Sequence, residues 1–357
     1  MEAIRIRTDQ AQSGMVVAND VYATNNQLVL PKGSVLEPKM ISRLRFYGIY
    51  GFYIQKDEPE QDMIQIESYI ETLRNSEDFK KFSHNYVATI DHIEDNFGQI
   101  AHGNSEVNLD ALLKNTGRIL ADSRNGSHIM EMLHGIRNND DITFVHSLNV
   151  ALICHIFADW LKFSPEDTKI LTLSGLMHDI GKMLIPKEIL AKNNKLTEDE
   201  FNIIKTHTTK GYQLIMDQPI DIRIKYATLM HHERCDGSGY PNCFTRDKID
   251  EFSKIIAIAD VYDAMTSKRK YRDAFCPFDV VAEFEREGLQ KYDPHYLMVF
   301  LERIVHSYLH NIVRLNDGRQ GEVIMINKYS LAKPIIRIGD TYIDLSKERK
   351  IKIIEII

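Results

Sequence analysis

Apolar and polar positions change rhythm along this chain, and each change predicts a different kind of element. Up to about residue 56, short β-rich pieces at 14–17, 21–22 and 27–30 are separated by Asn25-Asn26 and by Pro31-Lys32-Gly33. A short helix over about 39–47 then leads to a last strand at 51–54, and the polar patch 56–60 reads as a boundary. From 63 to 136 the apolar spacing becomes helical and the charges are mixed. That predicts two or more long helices broken near 102–105, a spacer or dimerisation element with no visible chemistry.

The next stretch is helical with clear start signals. Ser164-Pro165-Glu166-Asp167 combines an N-cap serine, a proline at the first helical position and early acids. Leu196-Thr197-Glu198-Asp199-Glu200-Phe201 reads as a capping box with a hydrophobic staple. Further helices are expected over 220–232, 253–267, 278–290 and 295–310. After about Asn311 the pattern returns to strands: 312–315 and 322–326 flank Asn316-Asp317-Gly318, with more at 334–338 and 341–345. So short a unit buries little core by itself and is expected to pack on the helices or on a partner. The expected fold is mainly α, an all-helical bundle flanked by small β-rich N-terminal and C-terminal units. The boundaries are 1–56, a helical linker or spacer at 57–124, the bundle at 125–310 and a β unit at 311–357.

Composition narrows the class without naming it. Hydrophobic residues make up 43% and charged residues 27% of 357 positions, as in an ordinary globular protein. The net charge of -7 carries no basic footprint, which argues against a nucleic-acid polymer as partner. Cys154, Cys235, Cys243 and Cys276 show no C-x-x-C spacing and read as reduced thiols. No apolar signal core follows Met1, and no run is expected to approach the ~18 apolar residues of a membrane span, so a cytoplasmic protein is expected.

The chemistry concentrates around His178-Asp179-Ile180-Gly181-Lys182. A neutral imidazole and a carboxylate side by side can converge on one metal ion, and the second carboxylate oxygen can serve another. Lys182, one helical turn beyond Asp179, can reach an anion held by those metals. Other candidate ligands sit on predicted helices: His146, His207, the pair His231-His232 at a helix end, and Asp260. Asp260 lies in a stretch that should be buried, where a carboxylate is costly unless paired or metal-bound. Five imidazoles and two carboxylates exceed what one ion uses. Two ions sharing Asp179 would use them and leave room for a bridging hydroxide. An imidazole-rich set favours iron, manganese or another transition metal over magnesium. Beyond the His pair, Gly237 and Gly239 allow a tight turn that presents Tyr240, whose ring could stack on a base. Arg269 and Arg272, three apart and about two to three turns beyond Asp260, could share one face or simply form a solvated helix end.

Together these segments resemble the HD-GYP family, a branch of the HD-domain metal-dependent phosphohydrolases. The resemblance rests on His146 in His-Ser-Leu-Asn-Val, His178-Asp179-Ile180-Gly181-Lys182, and His207 with Gly211. It continues through His231-His232-Glu233-Arg234 into Asp236-Gly237-Ser238-Gly239-Tyr240-Pro241, Ala259-Asp260-Val261-Tyr262-Asp263-Ala264-Met265, and 269–272. It covers roughly residues 125–310 and implies hydrolysis of cyclic di-GMP to linear pGpG and often GMP. Carried over, it implies one metal on His146, His178, Asp179 and Asp260, and a second on His207, His231 and His232 with Asp179 bridging. Lys182 would contact the scissile phosphate; Tyr240, Arg269 and Arg272 would contact guanine and phosphate groups. Where some members place a metal-binding Glu, this chain has Ile142, so two ions are expected. Cys235, Cys243 and Thr208 also depart from the family pattern, all outside the ligand set. The competing readings are a hydrolase of hybrid cyclic GMP-AMP and a cyclic dinucleotide receptor with little turnover. A homodimer through the spacer or the terminal β units is the expected assembly, if any.

Overall fold

The computed structural model describes residues 3–8, 10–23, 27–55, 73–103, 107–121, 123, 125–136, 143–192, 194–267 and 274–357. It divides into two compact units, 1–66 and 67–357. In the first, β1 (Ala3–Arg7) pairs antiparallel with β4 (Gly51–Gln55), setting Ile4 against Ile54 and Ile6 against Phe52. A second hairpin joins β2 (Val21–Tyr22) and β3 (Leu28–Leu30), and α1 (Pro38–Phe46) closes a small core of Val17, Val29, Leu30, Leu36, Leu44 and Phe52. The stretch at 14–17, expected as a strand, makes only single bridges, Val16 to Val35 and Val17 to Ile54.

In the second unit, α2 (Glu77–Ala101) is started by Ser76, whose hydroxyl accepts the Phe79 N–H at 3.1 Å. After the expected break come α3 (Leu109–Ala121), α4 (Gly126–Ile136) and α5 (Thr143–Leu161). α5 is apolar on every face and runs through the middle of the bundle, against α6 (Pro165–Met177). By length and composition α5 could cross a membrane, contrary to the expectation that no run would come near it. However, 72% of that apolar stretch is buried inside the protein, as in a core helix. The Ser164 cap on α6 forms as expected, with Oγ accepting the Asp167 N–H.

A 3-10 turn at Ile180–Leu184 and the short α7 (Lys187–Leu190) lead to α8 (Glu198–Lys205), which carries the reciprocal Thr197–Glu200 capping box. Then follow α9 (His207–Ile215), α10 (Ile222–Met230) and α11 (Glu251–Thr266). The last two open on Asp221 and Asp250, which accept backbone N–H groups. The helix expected over 278–290 is α12 (Pro277–Glu283), a π turn at Phe284–Gly288 and α13 (Leu289–Lys291), before α14 (Pro294–Ser307).

The chain ends in an antiparallel sheet ordered β8-β7-β6-β5-β9: Thr341–Asp344, Ile335–Ile338, Gln320–Met325, Ile312–Leu315 and Ile353–Ile356. Val313, Leu315, Val323 and Ile336 belong to the same core as the helices. The Glu285 carboxylate on the π turn accepts the Leu331 N–H at 2.7 Å, tying that loop down. The sheet packs on the helices, one of the two arrangements its length demanded.

Candidate metal centre

Every ligand predicted from the sequence stands at or near the end of a helix or on one of the two buried helices α5 and α11. His146 lies on α5, His178 caps α6, Asp179 opens the 3-10 turn, His207 begins α9, His231 caps α10, and Asp260 lies on α11. The turn is held against α9 because neither backbone carries a side chain at the contact. A Cβ on Gly181 would collide with the His207 carbonyl oxygen and come within 2.6 Å of the Gly211 nitrogen. This approach brings Asp179 to His207.

The side chains form two groups whose ligand atoms lie within 4.8 Å of one another: Asp179, His207, His231 and His232, and His146, His178 and Asp260. Asp179 faces both. Its Oδ1 is 3.2 Å from His207 Nε2 and 3.7 Å from His231 Nε2, while Oδ2 is 3.3 Å from His178 Nε2 and 3.8 Å from His146 Nε2. Asp260 Oδ1 lies 3.0 Å from His146 Nε2, and its Oδ2 3.8 Å from His232 Nδ1.

Hydrogen bonds behind the rings fix which nitrogen faces inward. His178 Nδ1 meets the Gly175 carbonyl at 2.7 Å, His207 Nδ1 the Ile204 carbonyl at 2.7 Å, and His231 Nδ1 the Ala227 carbonyl at 3.0 Å. A carbonyl only accepts, so each Nδ1 carries the proton and each Nε2 turns a lone pair to the centre. His178 Nε2 and Asp179 Oδ1 are buried and make no hydrogen bond. Buried acceptors converging without a donor are costly alone and suited to cations. The donor set therefore fits two divalent ions, one per group, with Asp179 able to serve both.

The electrostatics agree with this donor set. Burial would raise the Asp179 carboxyl, but the Lys182 ammonium, with His178, holds it well below the usual carboxylate range. Asp260 is likewise held well below that range, burial being outweighed by its bond to His146 and the neighbouring imidazoles. Burial, joined by the adjacent rings, pushes His231 well down, and His232 falls to about 3. Both rings are neutral, the form that ligates. His146 alone moves up, to about 9: burial lowers it, and the hydrogen bonds to Asp260 and Asp263 more than reverse this.

Lys182 Nζ sits 2.5 Å from Asp179 Oδ2. Tyr240 lies half-buried with its ring stacked on His232, centroids 4.6 Å apart at 29°. Its loop is built on Glu233, a buried carboxylate that accepts the Asn242 N–H at 2.7 Å and the Phe244 N–H at 2.9 Å. Gly239 permits the loop to fold back on Glu233 and Arg234, since a Cβ there would strike both backbones. Arg269 and Arg272 lie outside the described residues.

Three further residues serve the site without having been assigned a role from sequence: Glu233, Asp263 and Asn149. Asp263 Oδ2 accepts from His146 Nδ1 at 2.8 Å, fixing that ring as the carbonyls fix the others. Asn149 Nδ2 donates to Asp263 Oδ1 at 3.0 Å. The only signal was spacing: Asn149 and Asp263 each lie three residues beyond a predicted ligand, His146 and Asp260, and Glu233 directly follows His232.

With this geometry in view, the HD domain family matches residues 114–296. The chain is 31% identical over 204 residues to cyclic di-GMP phosphodiesterase PA4108 of Pseudomonas aeruginosa, covering 57% of this chain and 49% of that protein. It is 44% identical over 144 residues to 3'3'-cGAMP-specific phosphodiesterase 1 of Vibrio cholerae, covering 40% of this chain and 33% of that one. The chain thus spans half or less of the length of these curated relatives. Among solved structures, Bd1817, an HDG"Y"P protein from Bdellovibrio bacteriovorus, aligns with a TM-score of 0.51 at 15% identity. That alignment covers 85% of this chain and 99% of the other, and is a likeness of fold alone.

Proposed function

The chain belongs to the HD-domain family, and from that premise we propose that it is a metal-dependent phosphodiesterase hydrolysing cyclic di-GMP to pGpG, GMP or both. The observation carrying this reading is the pair of ligand groups that share Asp179 beside the Lys182 ammonium. His146, His178 and Asp260 would hold one ion, and His207, His231 and His232 the other, with Asp179 bridging. Two such ions, when bound, supply Lewis acidity to phosphate oxygens and acidify a water between them. The mixed imidazole and carboxylate donors favour iron or manganese.

The chain's own residues do the rest. The Nδ1 bonds hold His178, His207 and His231 in the ligating tautomer, so these three rings need not reorganise when the ions arrive. Lys182 adds a positive charge where negative charge develops on the phosphate, and it is a catalytic residue in this reading together with Asp179. Tyr240, with Arg269 and Arg272, would contact the bases and phosphates. Four unpaired thiols suit a reduced, cytoplasmic setting.

One observation favours a second substrate. The 44% identity is to a protein named for 3'3'-cGAMP, so hybrid cyclic GMP-AMP stands beside cyclic di-GMP. The test loads this chain, purified anaerobically, with Fe(II) or Mn(II) and resolves the products from each dinucleotide. Linear product that disappears with chelator and in Asp179→Ala is expected. Absence of product from both dinucleotides with two ions bound would overturn the proposal in favour of a receptor.

A further inference from the structure

A hydrogen-bonded relay runs from α2, which precedes the matched HD domain, to a ligand of the metal centre. Tyr86 is buried on α2, its ring stacked on Phe82 at 5.8 Å. Its hydroxyl donates to Asn149 Oδ1 at 2.5 Å, Asn149 Nδ2 donates to Asp263 Oδ1 at 3.0 Å, and Asp263 Oδ2 accepts from His146 Nδ1 at 2.8 Å. Asn149, Asp263 and Tyr86 are all at most 3% exposed, so water does not substitute for any of these bonds. The order of donors is forced. The amide must turn its N–H to the carboxylate, which leaves its oxygen to the phenol.

We infer that Tyr86 is a positioning residue for His146, acting through Asn149 and Asp263, and that α2 thereby sets the strength of one metal site. The inference rests on the metal-centre reading above. Without the phenolic hydroxyl, Asn149 Oδ1 loses its donor, and the amide is anchored only by its own N–H bond to Asp263. Asp263 then holds the His146 ring less firmly. Outer-shell bonds of this kind change metal affinity by roughly 10–100-fold when the group touching the ligand is removed, and Tyr86 stands two links further back. α2 also packs against the 3-10 turn that carries Lys182, so this helix touches the site from two directions.

The experiment titrates Mn(II) into this chain, all 357 residues and stripped of metal, and reads bound ion by electron paramagnetic resonance, with no substrate present. Wild type should take up two ions. Tyr86→Phe should weaken one of them by roughly three- to tenfold and leave the other alone, a split that a general loss of packing does not produce. In an Asn149→Ala background, Tyr86→Phe should have no further effect, because the relay is already cut. Isotherms of Tyr86→Phe and wild type that superimpose overturn the inference. So does equal weakening of both sites, or a full additional loss in the Asn149→Ala background. Failure of the wild type to bind two ions overturns the site reading and this inference with it, an outcome distinct from two ions bound alike by both proteins.

Discussion

His207 Nε2 and His231 Nε2 face each other at 3.3 Å, and neither carries a proton to share. Each ring has committed its one proton to a backbone carbonyl, of Ile204 and of Ala227, so the short distance sets lone pair against lone pair. Asp179 Oδ1 adds a third acceptor to the same space. A cation held between them would turn this local repulsion into binding energy.

Metal should therefore stabilise the fold markedly. At free Mn(II) about 100 times its dissociation constant, linkage gives about 2.7 kcal/mol per site, visible as a rise in Tm that chelator reverses. Asp179→Ala, which removes an oxygen from each group, should abolish most of that rise. An undiminished rise in the variant would show that the ion binds elsewhere.

Gly181 fixes how closely the 3-10 turn meets α9. Gly181→Ala should cost about 2–3 kcal/mol, because the colliding atoms are backbone and cannot swing aside. Gly117 in α3 has open space around the same position, so Gly117→Ala should be neutral or stabilising by about 0.5 kcal/mol. Thermal melts of the two variants separate a packing requirement from a general intolerance of alanine. Equal Tm values would refute it.

The residues that converge here were legible in the sequence because buried His and Asp, at helix ends or within apolar helices, are hard to explain otherwise, and helix starts announce themselves through residues such as Ser164, Thr197 and Asp221. The terminal strands were less so. β1 pairs with β4, nearly fifty residues away, and β9 with β5, so neither has a local turn to betray it. Asp263 was visible as an acid near Asp260, but which of two neighbouring carboxylates faces the ions and which faces a ring is decided by α5 packing against α11. Tyr86 had no signal at all, since its partner Asn149 lies 63 residues on.

Glu233 separates loop order from metal binding. Its carboxylate satisfies two backbone N–H groups of the segment following Tyr240, and Glu233→Gln would set an amide N–H against one of them. A lost buried bond to a charged acceptor is worth ~1.5–3 kcal/mol, so kcat/KM for the dinucleotide should fall roughly tenfold or more, mainly through KM. Mn(II) uptake should stay at the wild-type level. A parallel fall in metal content would mean that Glu233 supports His232 rather than the loop.

Arg223 joins the starts of three helices. Its guanidinium donates to Asp221 and, at 2.7 Å, to Asp167 at the first turn of α6, and lies 4.8 Å from the Phe252 ring at the first turn of α11. The Asp167 carboxyl is lowered by its bond to Ser164 and then by Arg223, and that of Asp221 chiefly by Arg223. Carboxyl groups with lowered values in the fold stabilise it above their unfolded pKa of about 3.9 and lose that contribution as pH falls through the folded values. Arg223→Met should accordingly lower Tm by about 2 °C near pH 7, a modest figure because these groups are partly open to solvent. The gap to wild type should close as the pH falls below the ordinary carboxylate range and through the lowered folded values, once both carboxylates are protonated in either protein. A gap that persists there would assign the stabilisation to the cation over Phe252, which does not titrate in this range.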